Sequence, residues 1–244
     1  MAAHTHHLTT GLGLWLELAK ASAQKILDGR VELGGAYFFP NHFDWQGHAG
    51  DLMKAPWYSG MAQGEALSVF VQMAAEFPDE PRWREAAEAT FASLLVPWGG
   101  AEPAVTHAVD GFLWFEEYAC PNPYQVLNGH IFALFGVYEY WNATKDPVAL
   151  ELFDGAITTA LYAAELARSP GAGSFYCVNP DICLATEWRS ATYHPIHIAQ
   201  FRMLAQMAGE PRFDDWARAY ASDKPEVKPW RVAALWPGAG APPQ

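Results

Sequence analysis

Two glutamates stand side by side in an aromatic run, Trp114-Phe115-Glu116-Glu117-Tyr118. Burying a carboxylate among rings is costly unless it is hydrogen-bonded. Desolvation also raises its pKa, which lets it act as a base near neutral pH. In an extended chain Glu116 and Tyr118 would share one face and Glu117 the other; a solvent-facing strand would also tolerate the pair. Just downstream, Asn128 falls in the first turn of a predicted helix, where it could point back at the loop end. A second concentration is Tyr193-His194-Pro195-Ile196-His197, preceded by Glu187-Trp188-Arg189. The planar fork of Arg189 suits a substrate carboxylate. His194 and His197 lie three apart, on one side of a helix. Without an HExxH run or thiolate pairs they read as bracing histidines rather than zinc ligands, so no metal is expected. The third segment is Trp57-Tyr58-Ser59-Gly60-Met61-Ala62-Gln63-Gly64-Glu65. Trp57 and Tyr58 precede a helix, where loop aromatics can face a cleft. Gly60 and Gly64, four apart, admit either a ligand or a closely packed backbone. Tyr176, in Ser174-Phe175-Tyr176-Cys177, reads by itself as a packed aromatic.

Other chemistries lack their residues. Gly11-Leu12-Gly13 has neither the setting nor the remaining glycine of a phosphate loop, and no GxSxG elbow occurs. No cofactor is therefore expected. Of 244 residues, 15 are Lys or Arg and 27 are Asp or Glu, giving a formal net charge of -12. That balance speaks against a nucleic-acid partner, whose phosphates draw on clustered Lys and Arg. Apolar residues make up 51%, which excludes global disorder. No apolar stretch approaches the ~20 residues of a membrane span. The first ten residues lack the basic start of a signal peptide, so the cytoplasm is the default expectation, or secretion if a leader was removed. His4, His6 and His7 read as a solvated terminus rather than a metal site. Cys120, Cys177 and Cys183 allow one disulfide at most.

The elements that must position these residues are mostly helices. Apolar spacing predicts a helix from Leu12 to Leu27, closed by Gly29. Further helices are expected over Gly60 to Phe77 with Ser59 as N-cap, Pro81 to Leu95, Gln125 to Trp141, Pro147 to Arg168, Pro195 to Met207 and Arg212 to Ala221. Tyr37 to Phe39 and Ser174 to Val178 read as short strands, and residues 97–124 as a loop or hairpin rich in Gly, Pro and aromatics. Helices joined by irregular connections, without β-α-β alternation, argue for helix-on-helix packing. The expected fold is mainly α: an incomplete (α/α) toroid of antiparallel helix pairs, with short β-hairpins in the cleft loops. One catalytic domain would span 1–224, with a Pro/Gly-rich tail over 225–244.

Four runs in order, WYSGMAQGEALSVFVQ (57–72), WFEEY (114–118), VLNGHIFALFGVYEY (126–140) and YHPIHIAQFRML (193–204), resemble the C-terminal domain of D-glucuronyl C5-epimerases. The resemblance covers about residues 55–220 and is specific because the four runs occur together. It implies conversion of D-glucuronate to L-iduronate residues in a glycosaminoglycan such as heparosan, by removal of the C5 proton and reprotonation on the opposite face. Matched by motif, Tyr118 and Tyr193 correspond to active-site tyrosines, Tyr176 to a third, and Glu117 to an acid that serves as base or activates a tyrosine. Trp57, Tyr58, Gln63, Glu116, Asn128, Arg189, His194 and His197 are expected to line or brace the substrate cleft.

Two departures stand out. The β-rich region that precedes this domain in larger members is expected to be missing here or reduced to the stretch around Tyr37 to Trp45. The family often has a basic residue shortly after Tyr176, whereas this chain reads Cys177-Val178-Asn179-Pro180, leaving Arg189 as the expected replacement. The alternatives are a polysaccharide lyase or another α/α-toroid carbohydrate enzyme, or a carbohydrate-binding homologue without catalysis. A homodimer, in which a second copy completes the cleft wall, is a further expectation. The negative charge points to a short or modestly charged uronate oligosaccharide rather than a densely sulfated polymer.

Overall fold

The computed structural model describes residues 13–48, 50–100 and 103–224. The predicted Pro/Gly-rich tail over 225–244 and His4, His6 and His7 lie outside the described residues. The first helix, α1 (Gly13–Asp28), buries Ala19, Ala23 and Leu27, a four-residue spacing that makes one apolar stripe. A hairpin follows, β1 (Val31–Leu33) with β2 (Ala36–Phe38). Its two-residue turn, Gly34-Gly35, has φ of 58° and 83°, values glycine adopts freely. A second, shorter hairpin pairs β3 (Trp45–Gln46) with β4 (Leu52–Met53).

Helix α2 (Gly60–Glu76) starts where the Ser59 hydroxyl accepts a hydrogen bond from the Ala62 N–H at 3.4 Å. Helix α3 (Pro81–Ser93) opens on proline, whose missing N–H is no loss in a first turn. The Gly- and Pro-rich segment after it holds the third hairpin, β5 (Thr106–Val109) with β6 (Phe112–Phe115). Helices α4 (Leu127–Thr144) and α5 (Pro147–Leu166) are separated by Lys145 at φ 58° and by Asp146, which caps α5 by accepting from the Val148 N–H at 2.8 Å. A π-helical turn (Pro180–Leu184) precedes α6 (Tyr193–Ala208) and α7 (Arg212–Asp223).

Helices α2, α4 and α6 form a central row, and α3, α5 and α7 each back one of them. This succession of antiparallel helix pairs is an incomplete α/α toroid, with the hairpins gathered in its connections. The main core runs between the two rows and is filled by Phe70, Trp83, Phe91, Tyr140, Phe201, Phe213 and Tyr220. A second apolar cluster, with Trp57, Tyr124, Tyr176 and the Cys177–Cys183 disulfide, lies beneath the loops. None of the described helices is long and apolar enough to cross a membrane.

Three sequence expectations change. Ser174 to Val178 forms no strand: Tyr176 N–H donates to Trp188 O at 3.0 Å, and Val178 N–H donates to Gln125 O at 3.1 Å. The segment is thus bridged to two different neighbours and tied by the disulfide. Helix α4 begins at Leu127 because Gln125 sits at φ 56°, outside helical space. Helix α6 begins at Tyr193 rather than Pro195, since a proline in the first turn gives up no intrahelical bond. Tyr193 therefore opens the helix.

Candidate active site

The cleft is assembled where β6 ends. Beyond Phe115 the chain leaves the ladder, so strand alternation no longer applies and Glu117 and Tyr118 line the same small cavity. Glu116 instead turns inward. Its carboxylate meets His107 Nε2 on β5 at 2.7 Å and accepts from the Gln125 N–H at 3.1 Å. It ties the β5–β6 hairpin to the start of α4 and lines neither opening.

Glu117 is only 7% exposed. Its Oε1 accepts from the Tyr176 hydroxyl at 3.1 Å, and that hydroxyl lies 3.1 Å from the Tyr118 hydroxyl. Asn128 Nδ2 donates to Oε2 at 3.5 Å from the first turn of α4, as the sequence position suggested. One residue on, Gly129 leaves room for the carboxylate, for a Cβ there would overlap it. Burial pushes the Glu117 carboxyl up to about 7, against the lowering effect of its tyrosine hydrogen bonds. The phenols of Tyr118, Tyr176 and Tyr193 are all raised, first by burial and then by the nearby Glu117 charge. They stay protonated at neutral pH and can donate.

Aromatic rings build the walls. Trp45 from β3 stacks on Tyr118 with centroids 4.0 Å apart, and Tyr193 packs on Tyr176 at 4.7 Å. Two openings share Trp45 and Tyr118. The smaller, about 180 Å³, is lined by Asn41, Phe43, Trp57, Ser59 and Glu117. The larger, about 380 Å³, is lined by Gln46, His48, Tyr176, Trp188 and Tyr193. Glu117 thus lines the smaller opening and Tyr176 and Tyr193 the larger, with Trp45 and Tyr118 common to both.

A family model for the D-glucuronyl C5-epimerase C-terminus matches residues 35–222. The chain belongs to this family. A D-glucuronyl C5-epimerase of Caenorhabditis elegans is 26% identical over 168 residues, which are 63% of this chain and 26% of that relative. The chain thus matches about a quarter of the relative's length. Among solved structures, the Lin0763 protein of Listeria innocua superposes with a TM-score of 0.59 at 14% identity, covering 88% of this chain and 55% of the other. An unsaturated glucuronyl hydrolase of Bacillus sp. GL1 gives 0.59 at 13% identity, covering 92% and 59%. Such low identities carry the fold alone, and the fold is that of the α/α toroids.

Within this epimerase-family domain the expected site residues divide into liners and braces. Trp57, Glu117, Tyr118, Tyr176 and Tyr193 line the two openings. Gln63 is fully buried away from them, accepting from the Phe39 N–H at 2.8 Å and donating to Tyr37 O at 2.9 Å, so it fixes β2 to α2. Tyr58 faces Phe38, ring centroids 5.6 Å apart. His194 Nδ1 accepts from the Ser174 N–H at 3.0 Å, and its Nε2 lies 3.0 Å from Tyr220 O. His197 Nδ1 lies 2.8 Å from Ser174 Oγ, and burial lowers its pKa to about 3, so it stays neutral. Both histidines hold the Ser174–Tyr176 segment to α6. Arg189 points elsewhere: Nε donates to Ser169 Oγ at 2.9 Å, its other nitrogens pair with Glu187, and it lies over the Phe175 ring.

The sequence reading missed several contributors. Trp45, His48 and Trp188 line the larger opening, and His130 accepts from the Phe115 N–H at 3.1 Å, fixing the strand end that launches Glu116 and Glu117. The density of aromatics between Tyr37 and Trp45, within a Gly- and Pro-broken stretch, was the available signal.

Proposed function

We propose that the protein epimerises D-glucuronate to L-iduronate residues at C5, in a short or modestly charged uronate oligosaccharide. Glu117 takes the C5 proton, and the C5–H electrons move into the adjacent carboxylate as an enediolate. A tyrosine then returns a proton to C5 from the opposite face, so nothing but stereochemistry changes. The observation that carries this reading is the hydrogen-bonded line Tyr118–Tyr176–Glu117, ending on a carboxyl held near 7. A base at that pKa is half-ionised at neutral pH, where general base catalysis works best. Tyr193, which lines the larger opening, is the proton donor; the proton on Glu117 then passes through the Tyr176 hydroxyl, hydrogen-bonded to Glu117 and to Tyr193, to reprotonate the Tyr193 phenolate and reset the site. Family membership supports the reaction, and the fold likeness to an unsaturated glucuronyl hydrolase accords with an acidic-sugar cleft. The Cys177–Cys183 bridge favours an oxidising compartment over the cytoplasm.

The test is incubation with glucuronate oligosaccharides in deuterated water. Deuterium entering C5, with iduronate formed and no 4,5-unsaturated chromophore, supports epimerisation. A new unsaturated product would mean elimination instead, and binding without either change would mean a carbohydrate-binding homologue.

A further inference from the structure

A uronate brings a full negative charge next to the carbon that loses its proton, and the intermediate adds another. Such charge calls for a pre-positioned donor or cation. Among the described residues, no lysine or arginine lines either opening. The basic groups nearest in sequence are committed: Lys54 pairs with Asp44 at 2.6 Å, and Arg189 pairs with Glu187 and Ser169. Arg202 is exposed on α6 and lines neither opening.

One basic side chain does line the larger opening, His48, in the turn between β3 and β4. The described residues flanking His48 are held by hydrogen bonds. Gly47 N–H donates to Asp51 O at 2.7 Å, and the Tyr124 hydroxyl donates to Asp51 Oδ2 at 3.3 Å. Gly47 lies so close to Tyr124 that a Cβ would overlap the phenol oxygen. The His48 ring lies flat on Trp188, centroids 4.1 Å apart and planes 20° from parallel. Stacking occupies a ring face and leaves the in-plane nitrogens for hydrogen bonds. Trp188 in turn packs on Tyr176, at 4.6 Å, so the imidazole shares a wall with the reacting hydroxyls.

We propose that His48 binds the uronate carboxylate and thereby selects a sugar with a carboxylate at C6 over its neutral hydroxymethyl counterpart. This rests on the reading of the cleft as a uronate site, and it adds the residue that reads the acid. In place of an arginine fork, a single imidazole stacked on Trp188 meets the charge. A single donor suits one isolated carboxylate better than a densely anionic chain.

The experiment measures binding of a glucuronate disaccharide and of the matching glucose disaccharide to the wild type, His48→Ala, His48→Gln and His48→Arg. The wild type should prefer the glucuronate by roughly 10- to 100-fold, the range of a hydrogen bond to a charged group. His48→Ala should bring the two sugars within about threefold of each other, by losing affinity for the acid alone, and His48→Arg should keep the preference. Unchanged affinity for the neutral sugar reports an intact cleft. Full preference retained in His48→Ala, or none in the wild type, overturns the proposal. Acid-selective binding lost in His48→Ala, but without C5 deuterium exchange in the wild type, sustains the assignment of His48 and sinks the epimerase reading instead.

Discussion

In the proposed reaction Glu117 owes its basicity to its surroundings, since burial raises its carboxyl. A carboxyl titrating near 7 is protonated for part of the physiological range, so turnover that depends on its ionised form must rise with pH. We expect kcat/KM for C5 exchange to climb tenfold per pH unit below about 7 and to level above it. Glu117→Gln should lower exchange by roughly 10²–10⁴-fold while leaving sugar binding measurable, since the amide keeps the shape and loses the base. Tyr193→Phe should also stop turnover, whereas Tyr176→Phe should slow it and shift the pH profile to higher values, because it removes a hydrogen bond that favours the ionised form of Glu117 and leaves the burial in place. A flat pH profile across 5.5–8 would remove Glu117 from the base role. Glu139 offers a control outside the cleft. Its carboxyl, on α4, accepts from Ser68 and Gln72 of α2, and burial raises it to about 7. The folded state therefore holds that proton more tightly than the unfolded chain. Its stabilising contribution is present at acid pH and is lost as pH rises from about 4.5 to about 7. Glu139→Gln should flatten that decline and raise stability at pH 8 by roughly 1–3 kcal/mol, read by urea unfolding at several pH values. At this scale the sequence showed the side chains that carry unusual chemistry in local context, such as Glu117 between a glutamate and a tyrosine. It did not show His48 or Trp188, which reach the cleft only because distant turns fold over it.

Whole elements hold these groups in register through close backbone contacts. Gly64 on α2 and Gly136 on α4 face each other so closely that a Cβ at Gly136 would overlap the Gly64 carbonyl, and one at Gly64 would overlap Ala133. Gly60 meets the β6 exit in the same way: its N–H donates to Glu116 O at 2.6 Å. The choice between ligand and backbone at these two glycines thus falls to backbone, and the consequence is functional, because Gly60 sets the position of the peptide that carries Glu117. Gly136→Ala should cost about 1–3 kcal/mol through overpacking, measured by denaturant unfolding. Gly60→Ala should lose exchange activity out of proportion to stability. On the other wall, the Cys177–Cys183 bridge closes a short loop beside Tyr176 and Trp188. Chain-entropy arithmetic for such a loop gives about 2 kcal/mol, so the Cys177→Ser, Cys183→Ser double variant should unfold at lower denaturant and show weaker substrate binding. Helix periods and caps were legible to within a few residues because 3.6-residue spacing, Ser59 and Pro147 are local signals. Ser174 to Val178 was not, since its conformation is dictated by bridges to Gln125 and Trp188 and by a disulfide partner six residues away.

At the scale of the molecule, the α/α arrangement was readable because helices without intervening strands have few ways to bury their stripes. The placement of two openings that share one stacked Trp45–Tyr118 pair was not, because it depends on three hairpins meeting over the helix row. What the whole chain adds beyond geometry is field. A net charge of -12 repels an anionic oligosaccharide over distances that salt controls, with a Debye length of ~30 Å at 0.01 M and ~8 Å at 0.15 M. Among the described residues no lysine or arginine lines either opening to focus an opposite field, so steering should be unfavourable even where binding is good. Raising salt from 0.01 to 0.15 M should therefore increase kcat/KM several-fold for a hexasaccharide carrying three uronates and change it little for a disaccharide carrying one. The dependence should lie in kcat/KM, with kcat at saturation unaltered, because screening acts on encounter and not on the proposed proton transfer between Glu117 and C5. Initial rates of C5 deuterium exchange at fixed pH and two salt concentrations decide it. A rate for the longer substrate that falls with salt would mean that attraction dominates the approach, and would place a basic surface near the cleft rather than a repelling one.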